Sequence, residues 1–237
     1  MDGWTSAVRH QLGLGRLLPL GGPRDGAWIA EEAAKGVLRK AVREVPGVRL
    51  GVLRLAPADP ADADEPVVPP PPSGLPPGPL RVTADFAAPP SEPLPTTAAR
   101  LRQALATAAT ERLGLTVTEV DLRVTDLLDE DAPTPDPVPP PATPPAGPPL
   151  TGEEAVAAEA ALSVPGVTGT TGALGRAVRL ETLENATPAA LPHRHARVEI
   201  VVHPDHRAVD VAREVRETVS RSLPDHPTVT VLVTAVN

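Results

Sequence analysis

The chain predicts an α+β protein of two tandem α-β-β-α-β modules, each a three-stranded sheet with two helices on one face, joined by a proline-rich linker. Three observations carry this. First, Val45-Pro46-Gly47-Val48 recurs as Val164-Pro165-Gly166-Val167. Second, each copy closes an Ala-rich run of helical periodicity. It then leads into short alternating apolar stretches, a second helical run and a last Val-rich strand. A fixed order repeated at a spacing of about 120 residues marks a duplicated unit. Third, proline is concentrated in two stretches, 57–79 and 132–150, each about half proline, which places polymer between the ordered pieces.

The expected boundaries are an N-terminal helix and lead at 1–27, a first module at 28–128 with a proline-rich insert at 57–79, a linker at 129–150, and a second module at 151–237. In the lead, Trp4, Val8 and Leu12 share a helical face, and Gly21-Gly22-Pro23 and Gly26 end any helix there. The first module opens with a helix from about Trp28 to Glu44. Ile29, Ala33, Val37 and Ala41 form one row and Ala30, Ala34 and Leu38 the next, a stripe wide enough to cover a sheet. Pro46 and Gly47 stop that helix. Val48, Leu50 and Val52 then alternate as a strand. The insert reads as a polyproline-II excursion, because proline cannot pair inside a sheet. Leu80, Val82, Ala84 and Phe86 make the second strand. Thr96 or Thr97 would cap a helix carrying Leu101, Leu105, Ala108 and Ala109, which Gly114 ends, and Val120, Leu122 and Val124 mark the third strand.

The second module repeats the plan. Thr151-Gly152-Glu153-Glu154 fits a capping box, and its helix runs through Val156, Ala160 and Leu162. Val178, Leu180 and Leu183 belong to one strand and Val198, Ile200 and Val202 to the next. Asp205 would cap a helix bearing Ala208, Val211, Ala212, Val215 and Val219, and Val229, Val231 and Val233 close the module.

Composition narrows the function. With 33 prolines in 237 residues and 1% aromatics, cores must be built from Val, Leu and Ala, and two modest cores separated by polymer fit best. A net charge of -8 argues against general nucleic-acid binding, which needs a cationic footprint. The absence of cysteine excludes disulfides, thiolate metal sites and Cys nucleophiles. No stretch approaches the ~20 apolar residues of a membrane span, and Leu12 to Leu20 is short and interrupted by Arg16, unlike a signal-peptide core. A cytoplasmic location is the expectation. Arg greatly outnumbers Lys, which occurs only at Lys35 and Lys40, a bias that fits a GC-rich, actinobacterial genome.

Five of the six histidines fall in the second module. His193-x-His195 puts two rings on one side of an extended segment, and with His203 and His206 these are the candidates for a Zn²⁺ or Ni²⁺ site. Surface histidines near proline-rich turns are the plainer reading, so no metal or cofactor is expected. No nucleophile, base and donor set stands out: Ser220 and Ser222 fall in the last turn of a helix rather than in a nucleophile elbow. Gly166-x-x-Gly169-x-x-Gly172-x-x-Gly175 lacks the Lys-Ser/Thr of a phosphate-binding loop and reads as a mobile helix-to-strand connection.

The Ala-rich helix ending in Val-Pro-Gly-Val, with its ensuing strand, helix and alternating Val strand, resembles the alkaline-shock family of bacterial envelope stress proteins. The best-matching stretches are Glu153 to Val167 with Val198 to Val236, and Glu31 to Val48 with Leu80 to Val124. The insert at 57–79 and the tandem arrangement depart from the family's usual single domain. The composition and the Trp4-to-Ile29 region also resemble a group of uncharacterised streptomycete proteins. The family resemblance implies a non-enzymatic, self-associating scaffold held near the membrane by a small membrane-anchored protein or an alkaline-shock homologue. A ring-building module of secretion assemblies shares the element order and is the alternative, as is a His-based metal-binding protein. Partners would be engaged through sheet edges or exposed helix faces; in the second module the edge would be Val198 to Val202 or Val229 to Val233.

Overall fold

A computed structural model describes residues 13–128, 143–183 and 193–237. The expected helix at 2–12, the Asp129-Glu130-Asp131 run and most of the linker lie outside the described residues. The fold class is α+β, built on two sheets of three and six strands.

The smaller sheet follows the expected plan. Helix α1 (Glu31–Arg43) precedes two strands of this sheet, Arg49–Pro57 and Leu80–Ala88. Helix α2 (Leu94–Thr107), continued by a wider π turn over Ala108–Leu113, leads to the third, Val117–Leu127. Numbered through the chain, these strands are β3, β4 and β5, because β1 (Leu17–Pro19) and β2 (Ala27–Ala30) come first. Strand β4 is central, antiparallel to β3 and parallel to β5. Leu80, Val82, Ala84 and Phe86 are buried on one face, against Leu101 and Leu105. The opposite face is a lattice of ion pairs: Arg81 with Glu119 at 2.6 Å and Asp121 at 3.5 Å, and Arg123 with Asp85 at 3.1 Å.

Local departures have local causes. A register shift between Leu50 and Leu53 changes the phase of β3, so Leu53 and Leu55 are buried while Val52 is 53% exposed. Helix α2 starts at Leu94, ahead of the expected threonine caps, and Thr97 Oγ1 instead donates to Glu92 at 2.9 Å. Gly114 closes the π turn with φ +87°, a conformation that favours glycine.

The larger sheet differs more. Its order is β1-β2-β9-β8-β6, with β7 also paired to β8. Here β6 is Val167–Thr170, β7 Val178–Leu183, β8 His193–Val202 and β9 Thr228–Val236, with helices α3 (Glu153–Leu162) and α4 (Ala208–Ser222) before β6 and between β8 and β9. Two strands precede α1, one from the lead and one from the start of the expected first helix: β1 runs antiparallel to β2, and β2 runs parallel to β9 with Ile29 opposite Val233. The helix expected from Trp28 therefore begins only at Glu31. Trp28 and Ile29, adjacent in sequence, are both fully buried, which suits a strand covered on both faces. Burial works to raise the Glu31 carboxyl, but Arg16 at 3.2 Å and Lys35 at 3.0 Å outweigh it and hold it lowered.

Neither expected cap in the second half forms. Gly152 precedes α3 without a side-chain bond, since Glu154 pairs with Arg176 at 2.6 Å and Glu153 with Arg194. Arg207, not Asp205, precedes α4. Both Val-Pro-Gly-Val copies do stop a helix and enter a strand, with Gly47 at φ +72° and Gly166 at φ +92°.

The expectation of two separate cores does not hold, because one continuous buried cluster runs from Leu14 to Val233 through both sheets. Helix α1 packs on β9 as well as on β3 and α2, and α4 reaches β2 and the π turn. The insert is not a free excursion either. It straps the face of the larger sheet that carries Trp28 and Thr230. Trp28 Nε1 donates to Leu75 O at 2.9 Å, Thr230 Oγ1 to Pro69 O at 2.7 Å, Leu75 N to Leu17 O at 2.9 Å, and the insert's own Val68 is buried. A proline-rich segment lacks donors but keeps every carbonyl, so it can satisfy donors on a sheet face without joining the ladder.

Candidate functional site

The candidate histidines lie in two places. His193 and His195 begin β8, whereas His203 and His206 come after its end, ~30 Å away at about 3.3 Å per residue. His195 is buried and shares a 2.8 Å hydrogen bond with Thr228 Oγ1. Burial pushes its pKa down to about 4, with His193 and Arg197 acting in the same direction and Glu181 opposing. The His203 and His206 rings meet edge to face at 6.1 Å, and His206 lies over Gly166. Among the described residues, no three His, Cys, Asp or Glu side chains are grouped as a metal site. Ser222 ends α4, its hydroxyl donating to Val219 O at 2.8 Å.

A polar cluster that the motifs did not point to lies on the strapped face. Glu199, in the middle of β8, is fully buried. Its carboxylate accepts the Ala173 N–H at 2.6 Å, the Leu174 N–H at 3.0 Å and the Thr171 hydroxyl at 3.3 Å. Thr171 Oγ1 also lies 2.9 Å from Thr234 Oγ1. Burial raises the carboxyl to about 7, with the two N–H groups, Arg197 and Thr171 limiting the rise. The Gly-rich connection is thus anchored rather than mobile. Thr171 N donates to Glu199 O and Glu199 N to Ala177 O, so β6 and β7 act as one edge strand interrupted over Glu199. Gly172 N donates to Pro145 O at 3.0 Å, and Gly172 and Gly147 press together so closely that a Cβ on either would meet backbone. The buried Arg197 Nε has no partner among the described residues. One sequence signal for this cluster exists: Glu199 is the sole charge in Val198-Glu199-Ile200-Val201-Val202. Fully buried, the carboxyl is held by the connection that covers it.

Two surface cavities lie elsewhere. One, of about 550 Å³, separates the end of α1 from α2 and is lined by Ala41, Val45, Ala104 and Ala108 with Arg100 and Arg112. The other, of about 640 Å³, lies between α4 and the start of β9, with Arg213, Arg216, Arg221 and His226 around it. Arg213 there is engaged by Asp25 at 2.8 Å and Asp210 at 2.9 Å.

The sheet edges are not where the sequence placed them. Val198–Val202 and Val229–Val233 lie in β8 and β9, interior strands paired on both sides. The reason is that β2, in place of the expected helix start, is added beyond β9, while the interrupted β6/β7 strand covers β8. The actual edges are β1, β6/β7, β3 and β5. Three are blunted: β1 is three residues long with Gly74 bridged to Leu17, β6/β7 is interrupted, and β3 is bulged. Strand β5 is eleven residues long and mostly exposed, with Val124 at 39% and Leu127 at 55%; register shifts against β4 flank a regular run from Glu119 to Val124.

No family model matches the chain, and no curated protein matches it. Among solved structures, MamM-CTD variants are similar to it. One double variant has 16% identity over 40% of this chain and 92% of its own, at a TM-score of 0.26. A nickel form of another has 14% identity over 40% of this chain and 96% of its own, also at 0.26. Likeness at this level carries no argument about what the chain does. Among the described residues, no helix is long and apolar enough to cross a membrane.

Proposed function

We propose that this chain is a non-enzymatic protein-interaction scaffold that engages partners by strand addition. It would act in the bacterial envelope or general stress response and be drawn to the membrane by a small membrane-anchored protein or an alkaline-shock homologue. The observation that carries the interaction reading is the β5 edge, which pairs with no further strand among the described residues and, apart from the Arg102 bond to Val120 O, presents its outward backbone groups beside exposed apolar side chains. The stress assignment draws its support from the sequence alone, from the Val-Pro-Gly-Val helix stops and the strands that come after them.

Affinity capture from cells tests both parts. The intact chain should recover a small membrane-anchored protein or an alkaline-shock homologue. Val124→Lys, which places a charge on the edge without touching the core, should recover neither. Failure of the unaltered chain to capture either, together with a diffuse cytoplasmic fluorescent fusion, defeats the proposal.

A further inference from the structure

We infer that β5 is a homodimerisation strand: two copies of the chain pair their β5 edges antiparallel about a two-fold axis at Leu122, joining their three-stranded sheets into one of six. This rests on the strand-addition reading above and names its occupant.

The outward groups are identified by one contact. Arg102 Nε, from α2, donates to Val120 O at 3.3 Å, so that carbonyl points away from β4. Within a strand, a residue's N–H and C=O point to the same side, and the side alternates along the chain. Between Glu119 and Val124 the pairing with β4 is regular. The backbone groups of Val120, Leu122 and Val124 therefore face outward together. In an antiparallel pair centred on Leu122, Leu122 exchanges both its bonds with Leu122 of the second copy, and Val120 exchanges with Val124. Arg102 gives up its bond to Val120 in doing so.

Side-chain chemistry selects this register. Directly opposed residues must share a face, so the centre can shift only in steps that keep parity. Centred on Leu122, the pairs within the regular run are Val120 with Val124, Leu122 with itself, and Asp121 with Arg123. Apolar meets apolar on the helix face, and opposite charges meet on the outer face. Centring on Asp121 would oppose Asp121 to itself, and centring on Arg123 would oppose two arginines. Both neighbouring registers are excluded by like charge, and the two-fold pairing buries the exposed Val124. Strand β5 is itself bulged at both ends, and the pairing uses only the regular run between them.

Sedimentation equilibrium gives the basic test: the full chain should approach twice its 24.5 kDa with rising concentration. Asp121→Arg and Arg123→Asp each bring like charges together at two symmetric places, and each should weaken self-association on the order of tenfold or more. Mixed in equal amounts, these two variants should form a heterodimer, because the two arginines of one would then face the two aspartates of the other. Both positions are exposed; because Asp121 pairs with Arg81 and Arg123 with Asp85, the midpoint falls modestly, and a single cooperative melting transition shows that the variants fold. Since the chain has no cysteine, Leu122→Cys introduces a single thiol. Hydrogen-bonded antiparallel partners lie about 5.5 Å apart at Cα, within disulfide range. Mild oxidation should yield a covalent dimer, and Val52→Cys on the β3 edge should not.

A wild-type chain that remains monomeric at every concentration, or a dimer indifferent to both charge variants, overturns the inference. So does failure of the mixed variants to associate. The scaffold reading fails separately: capture of its partner by a monomeric chain sinks self-pairing alone, and a dimer that captures neither partner sinks the stress scaffold alone.

Discussion

Replacing Glu199 by Gln should tilt the pH dependence of stability in a direction that His195 alone would set. The two buried groups pull oppositely. Burial raises Glu199 from an ordinary value near 4.5 to about 7, so between those values the folded chain holds a proton the unfolded chain has released. Its contribution is complete below pH 4.5 and is lost as pH rises to about 7. Burial lowers His195 from 6.5 to about 4, so over that window the unfolded chain binds the extra proton. Its contribution is complete above pH 6.5 and is lost as pH falls to about 4. At roughly 1.4 kcal/mol per pH unit, each effect amounts to about 3 kcal/mol. In the wild type they nearly cancel between pH 4.5 and 6.5. Glu199→Gln keeps the shape and removes the titration; its single acceptor oxygen serves only one of the Ala173 and Leu174 N–H groups, a cost that is the same at every pH and leaves the slope unaffected. Relative to wild type, its stability should therefore fall by about 3 kcal/mol as pH drops from 7 to 4.5. His195→Gln should show the reverse relative trend, gaining as pH drops from 6.5 to 4. Urea unfolding midpoints at four pH values across roughly 4.5–7.5, with slopes checked for constancy, measure this. Parallel pH profiles for Glu199→Gln and wild type would refute the reasoning, because Glu199 would then be titrating alike in both states.

Other perturbations probe the junction and the strap. Gly114→Ala combines a left-handed backbone with overlap onto Val209, whose Cβ would lie 2.6 Å away, and should cost about 2–4 kcal/mol by denaturant unfolding, partly restored by Val209→Ala. Thr230→Val removes the bond to Pro69 O and should lose about 1 kcal/mol, with faster proteolytic cleavage within 57–79. Arg197→Met replaces a partly buried cation with an unpartnered Nε, and its stability should be unchanged or higher by thermal melting at neutral pH.

The helix-and-strand order of each half is legible because it is local. Val-Pro-Gly-Val combines a missing donor with a left-handed glycine, and alternation at Leu80 to Phe86 and Val229 to Val233 marks strands directly. Partnering is not local. Ala27–Ala30 carries no alternation and continues the apolar rows of α1, so it reads as the start of that helix. Only its pairing with Val231–Val233, some 200 residues on, makes it a strand. Proline in 57–79 rightly excludes a ladder strand, but composition is silent on where the carbonyls find donors; Trp28 Nε1 and Thr230 Oγ1 answer that only in three dimensions. The edge assignment fails for the same reason, since β2 and β6/β7 cover strands that the repeat alone would leave open. Glu199 is visible as an isolated charge in a Val-Ile run, yet its N–H partners come from a glycine connection whose sequence says only that it is permissive.

The β2–β9 pairing also sets a schedule for the chain as it is made. Ala27 emerges from the ribosome about 200 residues before its partner Val231, a wait of roughly 10–40 s at about 5–20 residues per second. Through that interval Trp28 and Ile29 have no sheet to join, and the strap has no face to cover. The smaller sheet can assemble early from β3, β4 and β5, whereas the larger must wait for β9. A chaperone that binds short apolar segments would find its target at Leu17–Leu20 and Trp28–Ile29, and release would coincide with the arrival of β9. Premature termination anywhere before Thr228 would leave those segments exposed for good, which makes this protein's truncation products candidates for degradation rather than for partial function.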